Sequence, residues 1–354
     1  WRPPWPSSAR HRQAPSFLPT AFSLFSVMRI ALLSNPSSGR GRHAAADDVA
    51  RQVLIEAGHE VLHVRGSSYE QARHAGRALL GDGPHRNVEA LVVVGGDGMV
   101  HLGVDIVATT GVPLGIVATG TGNDIARHFG LPSRDAAAST RLINQALSGE
   151  GAIKATDAIY ASRPDGTLLA PQRRWSLAVV SAGVDAAVNA RANTLAWPAH
   201  EGRYVRALAA ELAALAPYGY RVTTDDGTWE GPALLLAVAN TRYVGGGMDL
   251  APQADPADGL LEVLRLDPVS RARLIALFRR LSQGTHLTDP AVHVERSRSV
   301  IIEALDERTG RDRGLRPPPH PFADGEPLAE LPLRLEAVPD AVQLLLPAQG
   351  GSGP

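Results

Sequence analysis

From Met28 onward, short apolar runs alternate with stretches whose apolar positions recur at helical spacing. Residues 30–34 predict a buried strand and residues 35–42 a polar Gly/Ser loop. Residues 44–57 predict a helix with Val49, Val53 and Leu54 on one face, stopped by Gly58. A second strand follows at 59–64, a second helix at 69–80, and a third, wholly apolar strand at 90–94. A glycine turn at 95–98 leads into a helix at 100–108. A strand at 113–117, a second glycine turn at 120–122 and a helix at 124–129 repeat the unit. Strands alternating with helices of this length imply parallel crossovers, so residues 28–155 predict an α/β, doubly wound nucleotide-binding domain.

After about residue 156 the texture changes. Residues 157–161, 175–181, 220–224, 233–239 and 260–266 read as strands joined by turns such as Asp225-Asp226-Gly227. Val205, Leu208, Leu212 and Leu215 mark one helix among them, and residues 271–281 another. Residues 156–347 therefore predict a mostly antiparallel, β-sandwich-like domain. Residues 306–321 are charged and then proline-rich, the composition of a surface loop. Residues 1–27, with Trp1, Trp5 and a cluster of prolines, are expected to be an extension without fold. Their apolar run is short and no small-residue cleavage site follows it, so a signal peptide is disfavoured. Residues 348–354 read as a flexible tail.

Composition narrows the classes. The 354 residues are 44% hydrophobic and 20% charged with a net charge of -1, which excludes disorder over the whole chain. With 35 basic and 36 acidic residues there is no excess charge to attract nucleic acid. The absence of cysteine removes thiolate metal sites and a cysteine nucleophile. Basic charge is almost all arginine, Lys154 being the one lysine.

Candidate chemistry gathers at the two glycine turns. Val92-Val-Val-Gly95-Gly96-Asp97-Gly98-Met99 is a strand, a glycine turn and a helix start, and so brings backbone N–H groups and a helix N-terminus to one place suited to phosphate. Asp97 would repel phosphate and is better suited to holding Mg²⁺ or its waters. Gly120-Thr121-Gly122-Asn123-Asp124 is the second such turn, but Ile125 stands where a dinucleotide fingerprint needs its third glycine. Both turns belong at the carboxyl ends of neighbouring strands, where one phosphate chain can meet them. No Walker lysine is present. His59-Glu60-Val61-Leu62-His63 matches the zinc-protease pattern but falls on a predicted strand, where positions four apart lie roughly 13 Å from each other. Asp255 and Asp258 sit three apart in an Asp-Gly turn, which reads either as a hard-cation site or as a solvated turn. Asp324-Gly325-Glu326 reads by itself as a hairpin turn.

Taken in order, Asn35-Pro-Ser-Ser-Gly-Arg-Gly, Gly95-Gly-Asp-Gly, Gly120-Thr-Gly-Asn-Asp, Gly245-Gly-Gly-Met with Asp258-Gly, and Asp324-Gly-Glu resemble the diacylglycerol kinase catalytic family. That family includes bacterial lipid kinases and the sphingosine and ceramide kinases. The resemblance implies transfer of the γ-phosphate of ATP to a lipid hydroxyl, most simply diacylglycerol, with Mg²⁺, in a cleft between the two domains. It puts Asn35, Gly95, Gly96, Asp97, Gly98, Met99, Gly120, Thr121 and Asn123 on nucleotide positions. Asp97 and Asp124 fall on carboxylates that organise Mg²⁺, Glu326 on the general base, and Asp255, Asp258 and the Leu260 carbonyl on a structural Mg²⁺ site. NAD kinases share Gly-Gly-Asp-Gly, but the Asp-Gly-Glu and Gly-Gly-Gly-Met motifs favour the lipid branch over an NAD kinase-like enzyme. The chain departs from the family where Thr, then Asn-Glu, usually follow Gly98: here stand Met99, His101 and Leu102, which leaves a catalytically weakened lipid-sensing regulator as an alternative reading. The resemblance implies a cytoplasmic enzyme meeting its lipid at the inner face of the membrane, and leaves a homodimer open.

Overall fold

The computed structural model describes residues 27–34, 42–64, 66, 68–81, 87–169, 174–195, 201–305 and 314–348. The first half alternates as its apolar pattern requires: β1 (Arg29–Ser34), α1 (Arg42–Glu56), β2 (Glu60–Val64), α2 (Tyr69–Leu80), β3 (Ala90–Gly95), α3 (Asp97–Val107), β4 (Leu114–Ala118), α4 (Asp124–His128) and α5 (Ala136–Ser148). All four strands pair in parallel, in the order β2-β1-β3-β4. Every residue of β3 is buried, as expected of a central parallel strand covered on both faces. β2 is a strand, so the two histidines of the zinc-protease pattern diverge. His59 meets Asn144 on α5 at 2.7 Å, while His63 lies 3.9 Å from Asp47 on α1.

α5 answers no expected element, although its ends carry the usual signals. Asp135 accepts a cap bond from the Ala138 amide at 2.9 Å, and Gly149 closes the helix in the left-handed conformation. α3 starts three residues before the expected helix, so Asp97 and Gly98 form its first turn rather than a loop.

The second half continues with β5 (Ala152–Ser162), β6 (Trp175–Ser176), β7 (Val179–Ser181), α6 (Val184–Thr194), α7 (Glu201–Ala213), β8 (Tyr218–Thr224), β9 (Gly227–Ala233), β10 (Leu235–Ala239), β11 (Tyr243–Val244), β12 (Met248–Asp249), β13 (Leu261–Leu266), α8 (Arg271–Leu281), β14 (Val292–Ser297), β15 (Ser299–Ala304), β16 (Phe322–Ala323), β17 (Glu326–Pro327) and β18 (Leu333–Leu346). One sheet runs β14-β13-β10-β7-β16-β17, antiparallel throughout. Its Val180, Leu236, Val238, Leu261 and Val263 pack against Tyr220, Val300, Ile302 and Leu335 from β8, β15 and β18, forming the interior of a sandwich. Residues on alternate positions, such as Val179, Ala237 and Leu264, belong to a different core cluster, with Val100 and Val104 of α3.

The two halves are not joined only by a linker. The last strand, β18, lies antiparallel to β5 from Arg334↔Ser162 to Leu346↔Ala152, and its end pairs in parallel with β4 at Leu344↔Leu114. The first sheet therefore continues through β18 and β15 into the sandwich. The expected boundary at 155/156 falls inside β5, and the chain's end completes the sheet that its beginning started.

Candidate active site

The strand order reverses between β1 and β3, and ligands in such sheets gather at the carboxyl ends of the strands beside that point. β3 ends at Gly95 and β4 at Ala118, so both glycine turns emerge there. They touch backbone to backbone. A Cβ on Gly120 would collide with the Gly96 Cα, and one on Gly96 would lie 3.2 Å from the Gly120 Cα. Met99 folds back over Gly95, leaving no room for a side chain at that glycine. Asn123 takes a left-handed conformation and donates from Nδ2 to the Gly120 carbonyl at 2.9 Å, which ties the second turn down before α4 begins. Arg134 reaches the Thr121 carbonyl at 3.4 Å. Asn35 lies outside the described residues.

Asp97 and Asp124 flank Gly122: a Cβ there would stand 2.9 Å from the Asp97 Oδ2 and 3.5 Å from the Asp124 Oδ2. The Ile125 amide donates to Asp97 Oδ1 at 3.2 Å. Burial, and next the neighbouring Asp124 charge, push the Asp97 carboxyl up to about 6, with the Ile125 amide opposing. Asp124 Oδ2 accepts from the Gly246 amide at 2.8 Å. That amide belongs to a three-residue loop, Gly245–Gly247, between β11 and β12, and all three φ values are positive, which only glycine adopts in succession without strain. Asp124 Oδ1 is buried without a hydrogen-bond partner, the Arg127 Nε lying 3.9 Å away. Two adjacent carboxylates, one oxygen of them orphaned, beside a phosphate-sized glycine cradle fit a Mg²⁺ shared with phosphate oxygens, an ion that commonly takes only one or two protein carboxylates.

The second domain closes the opposite side. Asp324 (φ +50) and Gly325 (φ +85) form the two-residue turn between β16 and β17, with Ala323 paired to Glu326. Positive φ at both central residues is the hairpin turn that Asp-Gly favours. The Asp324 carboxylate accepts from the backbone amides of Leu177, Ala178 and Val179 at 2.9, 2.9 and 3.0 Å, and from His101 Nδ1 at 3.1 Å. Those amides sit where the chain passes from β6, paired with β5 in the first sheet, to β7, paired with β10 and β16 in the second, so the expected strand at 175–181 is split in two. Glu326 points at the first turn of α3: a Cβ on Gly98 would stand 2.8 Å from its Oε1.

Sequence reasoning gave no role to Arg127 and Arg242. Arg127 donates to the Gly122 carbonyl at 3.2 Å, and Arg242 clamps Asp249 through two contacts of 2.6 Å. The Arg242 amide donates to His128 Nδ1 at 3.2 Å, and burial holds His128 down at about 4, so its ring accepts. In a chain with one lysine, arginines near glycine turns were the available signal.

Asp255 and Asp258 lie in a turn remote from these carboxylates in sequence. Asp255 Oδ1 accepts from the Ala257 amide at 3.1 Å, and Asp258 Oδ1 from the Leu260 amide at 2.9 Å. Asp258 Oδ2 pairs with the Arg296 guanidinium, whose Nε also lies 3.0 Å from Glu262. A cation held by Asp255, Asp258 and the Leu260 carbonyl would share Asp258 with a guanidinium that already supplies positive charge. Among the described residues no three His, Asp or Glu side chains converge on a metal position.

Residues 29–158 match the diacylglycerol kinase catalytic domain, and residues 178–346 match the YegS C-terminal NAD kinase beta sandwich-like domain. A diacylglycerol kinase of Mycobacterium tuberculosis (strain ATCC 25618 / H37Rv) is 34% identical over 326 residues, covering 92% of this chain and 97% of that protein. A probable lipid kinase YegS-like of Stenotrophomonas maltophilia is 29% identical over 268 residues, 74% of this chain and 80% of that one. The crystal structure of a putative diacylglycerol kinase from Bacillus anthracis superposes with a TM-score of 0.67 over 90% of this chain and 97% of that one, at 17% identity, and so shares the fold. With its motifs, its two matched domains and a relative of this similarity over nearly its whole length, the chain belongs to the diacylglycerol kinase catalytic family and is an ATP-using lipid kinase.

Proposed function

We propose that the protein transfers the γ-phosphate of ATP to the primary hydroxyl of diacylglycerol, giving phosphatidic acid, with Mg²⁺ held between Asp97 and Asp124. The observation that carries this reading is the facing of Glu326 and the first turn of α3, which sets a carboxylate beside the glycine cradle. The amides at Gly95–Gly98 and Gly120–Gly122 bind the phosphates, with Asn123 fixing the second turn. Mg²⁺, when bound, neutralises charge on the transferring phosphate. Glu326 takes the proton of the lipid hydroxyl as that oxygen attacks.

A small cavity under α8, lined by Val184, Leu235, Leu250, Leu264, Leu274 and Phe278 among others, offers apolar surface to no more than part of an acyl chain. Leu250, on the cavity wall, directly follows the β11–β12 hairpin whose Gly246 amide reaches Asp124. The name of the Mycobacterium relative favours diacylglycerol over a sphingoid base or ceramide. None of the described helices is long and apolar enough to cross a membrane, which suits an enzyme that meets lipid at a bilayer surface.

The test is transfer of labelled phosphate from ATP to diacylglycerol, sphingosine, ceramide and NAD in mixed micelles. Labelled phosphatidic acid as the main product supports the reading. Preferential labelling of another acceptor, or of none, overturns it.

A further inference from the structure

We propose that His101 is a positioning residue, holding the Asp324–Gly325 turn of the second domain against α3 so that Glu326 is aimed at the cradle. The proposal rests on Glu326 being the base.

No role follows from the sequence position of His101 alone. In the fold it lies three residues after Gly98 on α3, so both are on one helical face. Each meets one end of the same hairpin turn. Gly98 leaves the space that Glu326 Oε1 fills, and His101 Nδ1 lies 3.1 Å from Asp324 Oδ2. The histidine is 1% exposed and the Asp324 side chain fully buried, so the contact is not competed by water. Asp324 also receives the amides of Leu177, Ala178 and Val179, which fix the turn within the second domain. His101 adds the link to the first domain.

A carboxylate already accepting three amide bonds receives a fourth, so Nδ1 is the nitrogen carrying hydrogen. Nε2 is then turned into the interior, where it is buried without a hydrogen-bond partner. The other ring beside it is Tyr69 of α2, with centroids 6.1 Å apart. Burying an unsatisfied nitrogen is unfavourable, and apolar side chains of similar volume would fill this core better. What only histidine's near nitrogen supplies here is the donor to Asp324. Asn carries its amide nitrogen the same number of bonds from Cα as Nδ1, whereas Gln places it one bond farther out.

The experiment compares His101→Asn, His101→Gln and His101→Leu, each also in a Glu326→Gln background, by steady-state kinetics in ATP and lipid. We expect His101→Leu and His101→Gln to lower kcat at least 10-fold with KM for ATP within 2-fold. His101→Asn should stay within about 3-fold of the parent. In the Glu326→Gln background His101→Leu should cost less than 3-fold more, because there is no base left to aim. If His101→Leu does not fold, the Asn–Gln contrast decides. Equal activities of the Asn and Gln variants, a loss confined to KM for ATP, or losses that multiply with Glu326→Gln overturn the proposal. Glu326→Gln alone retaining kcat would remove the base assignment itself, an outcome separable from failure of the His101 variants beside a Glu326→Gln that does lose kcat.

Discussion

Gly98 and Glu326 approach so closely across the two domains that a Cβ on the glycine would stand 2.8 Å from the glutamate Oε1. Gly98 lies in the first turn of α3 and is not in the left-handed region, so alanine suits its backbone. Gly98→Ala is therefore expected to leave the melting temperature unchanged or slightly raised, since Ala is favoured over Gly in a helix by roughly 0.5–1 kcal/mol. The displaced carboxylate should cost kcat at least ~10-fold, part of the ~10²–10⁴-fold that a positioned proton acceptor contributes. A Gly98→Ala enzyme of full activity would show that the contact does not matter to turnover.

Glu326→Gln keeps size and hydrogen-bonding capacity but cannot take a proton. We expect kcat to fall by ~10²–10⁴-fold while the affinity for ATP, held by the first domain, stays near that of the parent. Weakened ATP binding with intact kcat would make Glu326 a nucleotide or metal contact, leaving Asp124 as the next candidate base.

Asp97→Asn separates stability from activity. Activity should drop at least ~100-fold, about 2.7 kcal/mol of transition-state stabilisation. Stability should move the other way. The folded carboxyl is raised to about 6 from its ordinary 3.8, so it favours the folded state below the unfolded value and that contribution is lost as pH rises through about 6. In EDTA, the Asp97 contribution should fall between about pH 4 and 7 by an amount on the order of 2–3 kcal/mol, against the rise that the lowered His128 contributes over the same window. Relative to the parent, Asp97→Asn should therefore gain stability progressively as pH rises through it. Denaturant melts across this pH window check it, and an equally steep profile in the variant would refute the assignment of the slope to Asp97.

The Asp255–Asp258 turn offers a metal test. Arg296 supplies the positive charge to Asp258, so any difference in melting temperature between Mg²⁺ and EDTA is expected to be the same in Asp258→Ala as in the parent. Asp258→Ala should lower the melting temperature by a few degrees in both, through loss of the pair and of the Leu260 amide contact, about 1 kcal/mol together. A rise with Mg²⁺ that disappears in Asp258→Ala would establish a structural cation there.

Much of the first domain was legible because its signals are local. An apolar run such as β3, two glycine turns after strands, and Gly58 after a helical stretch each act over a few residues. The same locality exposed the His59–His63 pattern as a strand. The motifs around Asp97, Asp124 and Glu326 could be found for the same reason, as short strings of residues with special backbone needs.

What the chain does with those strings was decided by pairings between distant segments. β18 enters the first sheet beside β4 because its edge is the partner that completes the ladder, and nothing in residues 333–346 names that partner. The split between β6 and β7 follows from their pairing in different sheets, β6 with β5 and β7 with β10 and β16. Asp124 meets Gly246, His101 meets Asp324, and Asp258 meets Arg296 in the same way. Residue types set which groups need partners. Which group satisfies them was set by the fold, since burial makes an unpaired charge or amide costly and only the packed chain brings the matching atom within reach.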